Sequence, residues 1–320
     1  MPRRCFAVPG IAFPVRSNDH SERNRTILVT PLTTRIPASA EERAAVRELL
    51  TSGALFSVAL PGDAGTEPLL PDTGGVPCDW IDADGVGIGP GVLVYVHGGG
   101  FERTNPAAER VMAHRLSRAT GRPALRVDQR LAPSHPFPAP VEDVVAVYRA
   151  LLDQGVPAAR IVLAGESSGA TLVLSVLLVL RDAGVPLPAG AVAVSGLIDL
   201  TGSSPSITAN EGKDLISGAN TDHIVPQYLD GAAPDRAPQS PLHGDLRGLP
   251  PVLLPVGGDE LFLDDALRFA AAAAEAGTDA SVDLYEGLPH VFHATMLAED
   301  APLTARTFLD RLRDWTAGLG

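Results

Sequence analysis

Ile161–Leu180 reads IVLAGESSGATLVLSVLLVL, and this stretch decides the fold. A short apolar run enters Gly165-Glu-Ser-Ser-Gly169, and a long apolar stretch without proline leaves it. The first part has the character of a buried strand and the second of a buried helix, so the chain must reverse within the five residues between them. Such a strand-to-helix corner is a nucleophile elbow: a tight turn that leaves little room for side chains two residues before and after the serine, and that presents the hydroxyl on a strained backbone. Gly165 and Gly169 meet that demand, and Ser167 is the candidate nucleophile.

Strand-like and helix-like segments alternate on both sides of the elbow. Strands are expected at 76–82, 91–96, 123–127, 161–163, 189–194, 252–256 and 280–285. Helices are expected at 105–119, 141–154, 261–276 and 304–317. Repeated β–α alternation predicts an α/β fold with a mostly parallel sheet and helices on both faces. In such sheets ligands bind beyond the carboxyl ends of the strands. Upstream, Ser39-Ala-Glu-Glu has an N-cap serine and an acidic first turn, and Ala44, Val46, Leu49 and Leu50 form an apolar face ending before Gly53. Residues 1–30 are expected to be irregular, Pro31 to Pro37 to interrupt regular structure, and 61–75 to be a linker. Within 201–250 the only helix expected is 221–229.

Composition bounds the function. The 320 residues are 45% hydrophobic and 20% charged, enough to bury a sizeable core. The net charge of −13, with a single lysine (Lys213), offers no basic stripe for nucleic acid or an anionic membrane. Cys5 and Cys78 are too few for a disulfide framework, and their spacing is not that of a metal site. The N-terminus has no uninterrupted apolar core of a signal peptide, and Ala170–Leu180 is too short to span a bilayer, so a cytoplasmic location is expected.

Three further stretches carry chemistry. His97-Gly-Gly-Gly100 follows the apolar run 92–96. Its Gly98 and Gly99 amides, with that of Ser168, could converge on the oxyanion of a tetrahedral intermediate, while His97 holds the loop. The base must follow the nucleophile in the order Ser, acid, His, and His290 lies just after a strand; His293, three residues on, would sit on a different part of the following turn. The acid belongs in the loop after 252–256, where Asp259 and Glu260 both fit. Asp264 and Asp265 fall in the next helix, as first-turn acids facing its dipole.

HGGGF at 97–101, DQRLAPSHPFPAPVED at 128–143, GESSGA at 165–170 and SPLHGDLRGLPPVLLPVGGDELFLDD at 240–265 resemble the bacterial hormone-sensitive lipase family of α/β-hydrolases. The resemblance covers residues 76–317. It implies an α/β-hydrolase catalytic domain over 76–320, and a cap made by residues 1–75 with part of 201–235. It also implies Ser167 as nucleophile, His290 as base and Glu260 as acid, with Asp259 the fallback, and homodimers as in similar bacterial proteins. No cofactor or metal is implied. Four positions depart from the family pattern and become candidate pocket residues: Glu102 and Arg103 after the glycines, Gln129 in place of a tyrosine, and Leu197 near the place of a tryptophan.

The expected activity is hydrolysis of carboxylic esters of a small-molecule substrate through an acyl-enzyme. A second reading keeps the pocket and changes the reaction to cyclisation, elimination or lactone opening on a specialised metabolite. A third is receptor-like binding, as in plant gibberellin receptors, which resemble this family but lack the triad histidine.

Overall fold

The computed structural model describes residues 32–319. In chain order the elements are β1 (Leu32–Ile36), α1 (Ala40–Thr51), β2 (Cys78–Ile81), β3 (Val92–Val96), α2 (Pro106–Thr120), β4 (Ala124–Val127), α3 (Ala139–Asp153), β5 (Ile161–Glu166), α4 (Ser168–Asp182), β6 (Gly190–Val194), α5 (Pro205–Ala209), α6 (Gly218–Leu229), β7 (Val252–Gly257), α7 (Leu263–Glu275), β8 (Ala280–Tyr285) and α8 (Leu303–Ala317). Eight strands form one sheet in the order β1-β8-β7-β6-β5-β3-β4-β2, and only the β2–β4 pair is antiparallel.

Alternation along the strands sorts side chains between two cores. Val92, Val94 and Val96 of β3 and Ile161 and Leu163 of β5 join the core that also holds residues of α3, α4 and α7. Leu93, Tyr95, Val162 and Ala164 join the opposite core, with residues of α2 and α8. Both faces are covered, which is why the parallel strands are apolar throughout. Helix α4 is buried at every position from Ser168 to Leu180. Its interior hydroxyls are satisfied locally, Thr171 Oγ1 donating to Leu197 O and Ser175 Oγ to Pro238 O, both at 2.6 Å.

Two expectations are corrected. The run between Pro31 and Pro37 is not irregular: Leu32–Ile36 pairs in parallel with β8, from Leu32 opposite Ser281 to Ile36 opposite Tyr285. LTTRI is rich in residues suited to strands, and an edge strand can have proline at its limits because one side needs no ladder. The 201–250 region holds more than one helix, since α5 and the 3₁₀ turn Pro241–His243 accompany α6, which begins earlier at Gly218. Ser217 caps α6 through a reciprocal box with Asn220, a pattern without the usual acidic residue. The expectation for residues 1–30 lies outside the described residues.

Candidate active site

Strand β5 lies between β3 and β6, so the chain winds outward in both directions from it. Ser167 therefore sits at the switch point of the sheet, where strand carboxyl ends leave a crevice. Its φ of 50° and ψ of −122° are a strained combination for a residue with a Cβ, costing about 1–3 kcal/mol. Close packing enforces it. A Cβ on Gly165 would lie 2.4 Å from Gly169 O, and one on Gly169 would lie 2.2 Å from Val96 O. Both glycines are thus required by contact with backbone that cannot move aside.

His290 Nε2 lies 2.9 Å from Ser167 Oγ, and its Nδ1 lies 3.4 Å from Glu260 Oε2. Glu260 is fully buried, and its Oε1 accepts from Ser195 Oγ and from the Gly257 amide, each at 2.7 Å. Burial alone would push the His290 imidazolium down. The hydrogen bond and charge of Glu260, with the charges of Asp214 and Glu166, outweigh it and hold His290 above the ordinary histidine value. Asp259 points elsewhere: its Oδ2 accepts from Arg47 of α1 at 3.0 Å. The structure brings Ser167, His290 and Glu260 together and leaves Asp259 on the rim.

Gly98 and Gly99 face the serine. A Cβ on Gly98 would come within 3.2 Å of Ser167 Cβ, and Gly99 has a φ of 102° with no room for a Cβ beside Arg103 O. The amides of Gly98, Gly99 and Ser168 donate to no backbone acceptor among the described residues. All three residues line a cavity of about 540 Å³ that opens over Ser167. His97 is buried beneath, its Nδ1 2.8 Å from Gly98 O and 3.5 Å from Glu109 Oε1.

The cavity walls come from distant parts of the chain: Leu50 and Leu55 near α1, Met112 of α2, Leu197, Leu215 and Ile216, Ile224 of α6, and Leu297. Glu102, Arg103 and Leu197 line it as expected of pocket residues. Gln129 does not. It is buried behind the loop, with Nε2 donating to His97 O at 3.2 Å, so its effect on the pocket is limited to supporting the His97 backbone. Glu102 Oε1 is buried without a partner, while Oε2 lies 3.6 Å from His223 Nε2. Arg103 is exposed, and among the described residues no carboxylate pairs with it.

Several supporting residues carried no readable signal. Glu166 accepts from Tyr95 OH at 2.8 Å and pairs with His293 Nε2 at 2.5 Å, which explains why His293 turns away from Ser167. Burial would raise the Glu166 carboxyl, yet these partners leave it below its ordinary value. Buried Arg126 joins Glu109, Asp79 and Asp128 under the glycine loop, and Glu109 also accepts from Thr104 Oγ1 and the Asn105 amide. An arginine inside the apolar strand ALRV was the one available hint. Asp264 and Asp265 do more than face the dipole of α7. Asp265 accepts from the Ile198 and Asp199 amides at 2.7 and 2.9 Å, and Asp264 from the Ser206 amide at 2.8 Å, fixing the loop after β6. Burial pushes the Asp265 carboxyl up to about 6. Among the described residues no cluster of His, Cys, Asp or Glu could hold a metal ion, and no helix is long and apolar enough to cross a membrane.

A strained serine at the switch point of a mostly parallel sheet, facing a histidine and a buried carboxylate, defines an α/β-hydrolase. A family model described as alpha/beta hydrolase fold matches residues 93–294, and the chain belongs to that family. The chain is 42% identical over 202 residues to an acetyl-hydrolase of Streptomyces hygroscopicus, covering 63% of this chain and 68% of that protein. It is 35% identical over 199 residues to an esterase of Acinetobacter venetianus, covering 62% and 66%. Among solved structures, an esterase from the bacterial hormone-sensitive lipase family superposes with a TM-score of 0.80 at 36% identity, over 88% of this chain and 99% of that one. The chain is a hormone-sensitive-lipase-like serine hydrolase of the carboxylesterase type.

Proposed function

We propose that the protein hydrolyses carboxylic esters through an acyl-enzyme on Ser167. The observation that carries this reading is the 2.9 Å approach of His290 Nε2 to Ser167 Oγ, with His290 Nδ1 directed at buried Glu260. Burial raises the Glu260 carboxyl above its ordinary value against the opposing pull of His290 and Ser195, and Glu260 Oε2, facing Nδ1, favours the tautomer with the proton on Nδ1, leaving Nε2 free to accept. As Oγ attacks the ester carbonyl carbon, its proton passes to Nε2 and the carbonyl oxygen becomes an oxyanion. The Gly98, Gly99 and Ser168 amides stabilise that charge; one such donor contributes on the order of 10²–10³ in rate. The tetrahedral intermediate collapses, the alkoxide leaves with the Nε2 proton, and the acyl group stays on Oγ. Water then loses a proton to Nε2, attacks the acyl carbon and releases the acid, and Oγ recovers its proton.

Leu50, Leu55, Leu215, Ile216 and Ile224 form an apolar roof over the cavity, which supports α1 and the 215–224 region as a cap that excludes water from the reacting centre. The name of the Streptomyces relative supports a small acyl group as the part transferred to Ser167. Replacing Ser167 with Ala tests the reading: p-nitrophenyl acetate turnover falls on the order of 10⁴-fold or more if Ser167 is the nucleophile. Retained turnover refutes it.

A further inference from the structure

The segment Asn210–Leu215 touches both loops that deliver the acid and the base. Asp214 Oδ1 accepts from the His290 amide at 2.7 Å, and Oδ2 accepts from the Leu261 amide at 2.8 Å. The first amide belongs to the base and the second to the residue following the acid. One carboxylate therefore bridges two loops that the chain forms 30 residues apart. Asn210 adds a second tie, Nδ2 donating to Glu260 O at 2.8 Å and Gly258 O at 3.2 Å. The segment is itself anchored: Lys213 Nζ donates to Asn210 Oδ1 at 3.1 Å, and Arg47 of α1 donates to Lys213 O as well as to Asp259.

We infer that Asp214 is a positioning residue for the reaction, its carboxylate clamping the base loop to the acid loop so that His290 spans Glu260 and Ser167. This rests on the proposed roles of Ser167, His290 and Glu260. Two properties of the carboxylate do the work. A carboxylate accepts through both oxygens, whereas an amide accepts through one and turns two N–H groups toward the other donor. Hydrogen bonds from backbone N–H to an ionised acceptor are also stronger than neutral ones, so the clamp holds the loops stiffly. Misplacement of a catalytic group by about 1 Å costs on the order of 10²-fold in rate.

The same carboxylate adds negative charge beside the imidazole. Among the described residues, Glu260, Asp214 and Glu166 act on the His290 ring directly, Asp259, Lys213 and Arg47 stand on the elements tied to its loop, and Glu102, Arg103 and Glu109 line the same cavity. Asp259 is paired with Arg47 and Glu166 with His293. Together with Glu260 and Glu166, Asp214 helps raise the His290 value. Loss of its charge shifts the acid limb of activity, an effect that mere loosening of the fold does not produce.

The test uses the full chain and measures the second-order rate of Ser167 labelling by a fluorophosphonate across pH, per mole of protein that can be labelled at saturation. For Asp214→Asn, the acid limb should move to lower pH, and the plateau rate should fall about tenfold. For Asp214→Glu, which keeps the charge and displaces the clamp, the limb should stay near the unmodified protein while the plateau falls. A superimposable limb in Asp214→Asn, or an undiminished plateau in Asp214→Glu, overturns the inference. If Asp214→Asn does not fold, Asp214→Glu carries the test alone. Failure of the unmodified protein to label at Ser167 overturns the triad reading instead.

Discussion

Arg47 on α1 reaches across to Asp259 at 3.0 Å, and this pairing separates two adjacent acids that the loop alone leaves equivalent. With Asp259 drawn to the rim, Glu260 is the carboxylate facing His290 Nδ1. Glu260→Gln should then lower kcat on a p-nitrophenyl ester by about 10³-fold or more, while Asp259→Asn stays within about threefold. Steady-state kinetics of the two variants decide between them, and the reverse ranking assigns the acid to Asp259.

Catalysis by His290 requires the neutral imidazole, so activity rises as pH passes upward through its value in the free enzyme. Burial favours the neutral ring, but Glu260 and its fellow carboxylates favour the imidazolium more, so the kcat/KM limb should lie above the ordinary histidine range near pH 6.5. Removing the Glu260 charge as Glu260→Gln should move the limb to lower pH. A limb in the carboxylate range, unmoved by that substitution, assigns the ionisation to another group.

Part of the site was legible in the residues and part was not. Ser167 and the glycines around it follow from local geometry, because a turn this tight has few sequence solutions. His290 follows from its place after a strand. Asp259 and Glu260 could not be separated by position, since the deciding contact comes from Arg47, far away in the chain. Asp214, Ser195 and the Glu166–His293 pair were missed for the same reason: each works through a tertiary contact to a loop with no local pattern. Strand β1 is not legible in the sequence because Pro31 and Pro37 stand close on either side of LTTRI and proline usually interrupts regular structure, whereas Leu32–Ile36 pairs along one edge only, with β8.

Arg103 lines the cavity, and among the described residues no carboxylate pairs with it, so it is available to an anionic group on the substrate. Arg103→Ala should lower kcat/KM on a carboxylate-bearing ester by about tenfold and leave a neutral p-nitrophenyl ester nearly unchanged. Equal losses on both, or no loss on either, remove Arg103 from recognition.

The elbow glycines make a stability prediction. Gly169→Ala would press a methyl group against Val96 O and His97 O, and it should lower unfolding stability by about 2 kcal/mol or more. Gly62→Ala, at a site with nothing nearby, serves as the control. Urea midpoints at unchanged slope measure the difference.

Covalent capture locates the nucleophile. The full protein is treated with a fluorophosphonate, digested and mapped by mass spectrometry, with Ser167→Ala and His290→Ala alongside. One adduct on Ser167, absent in Ser167→Ala and formed on the order of 10³-fold more slowly or worse in His290→Ala, is the predicted result. An adduct on another residue, or ester turnover undiminished in Ser167→Ala, excludes Ser167 as the nucleophile.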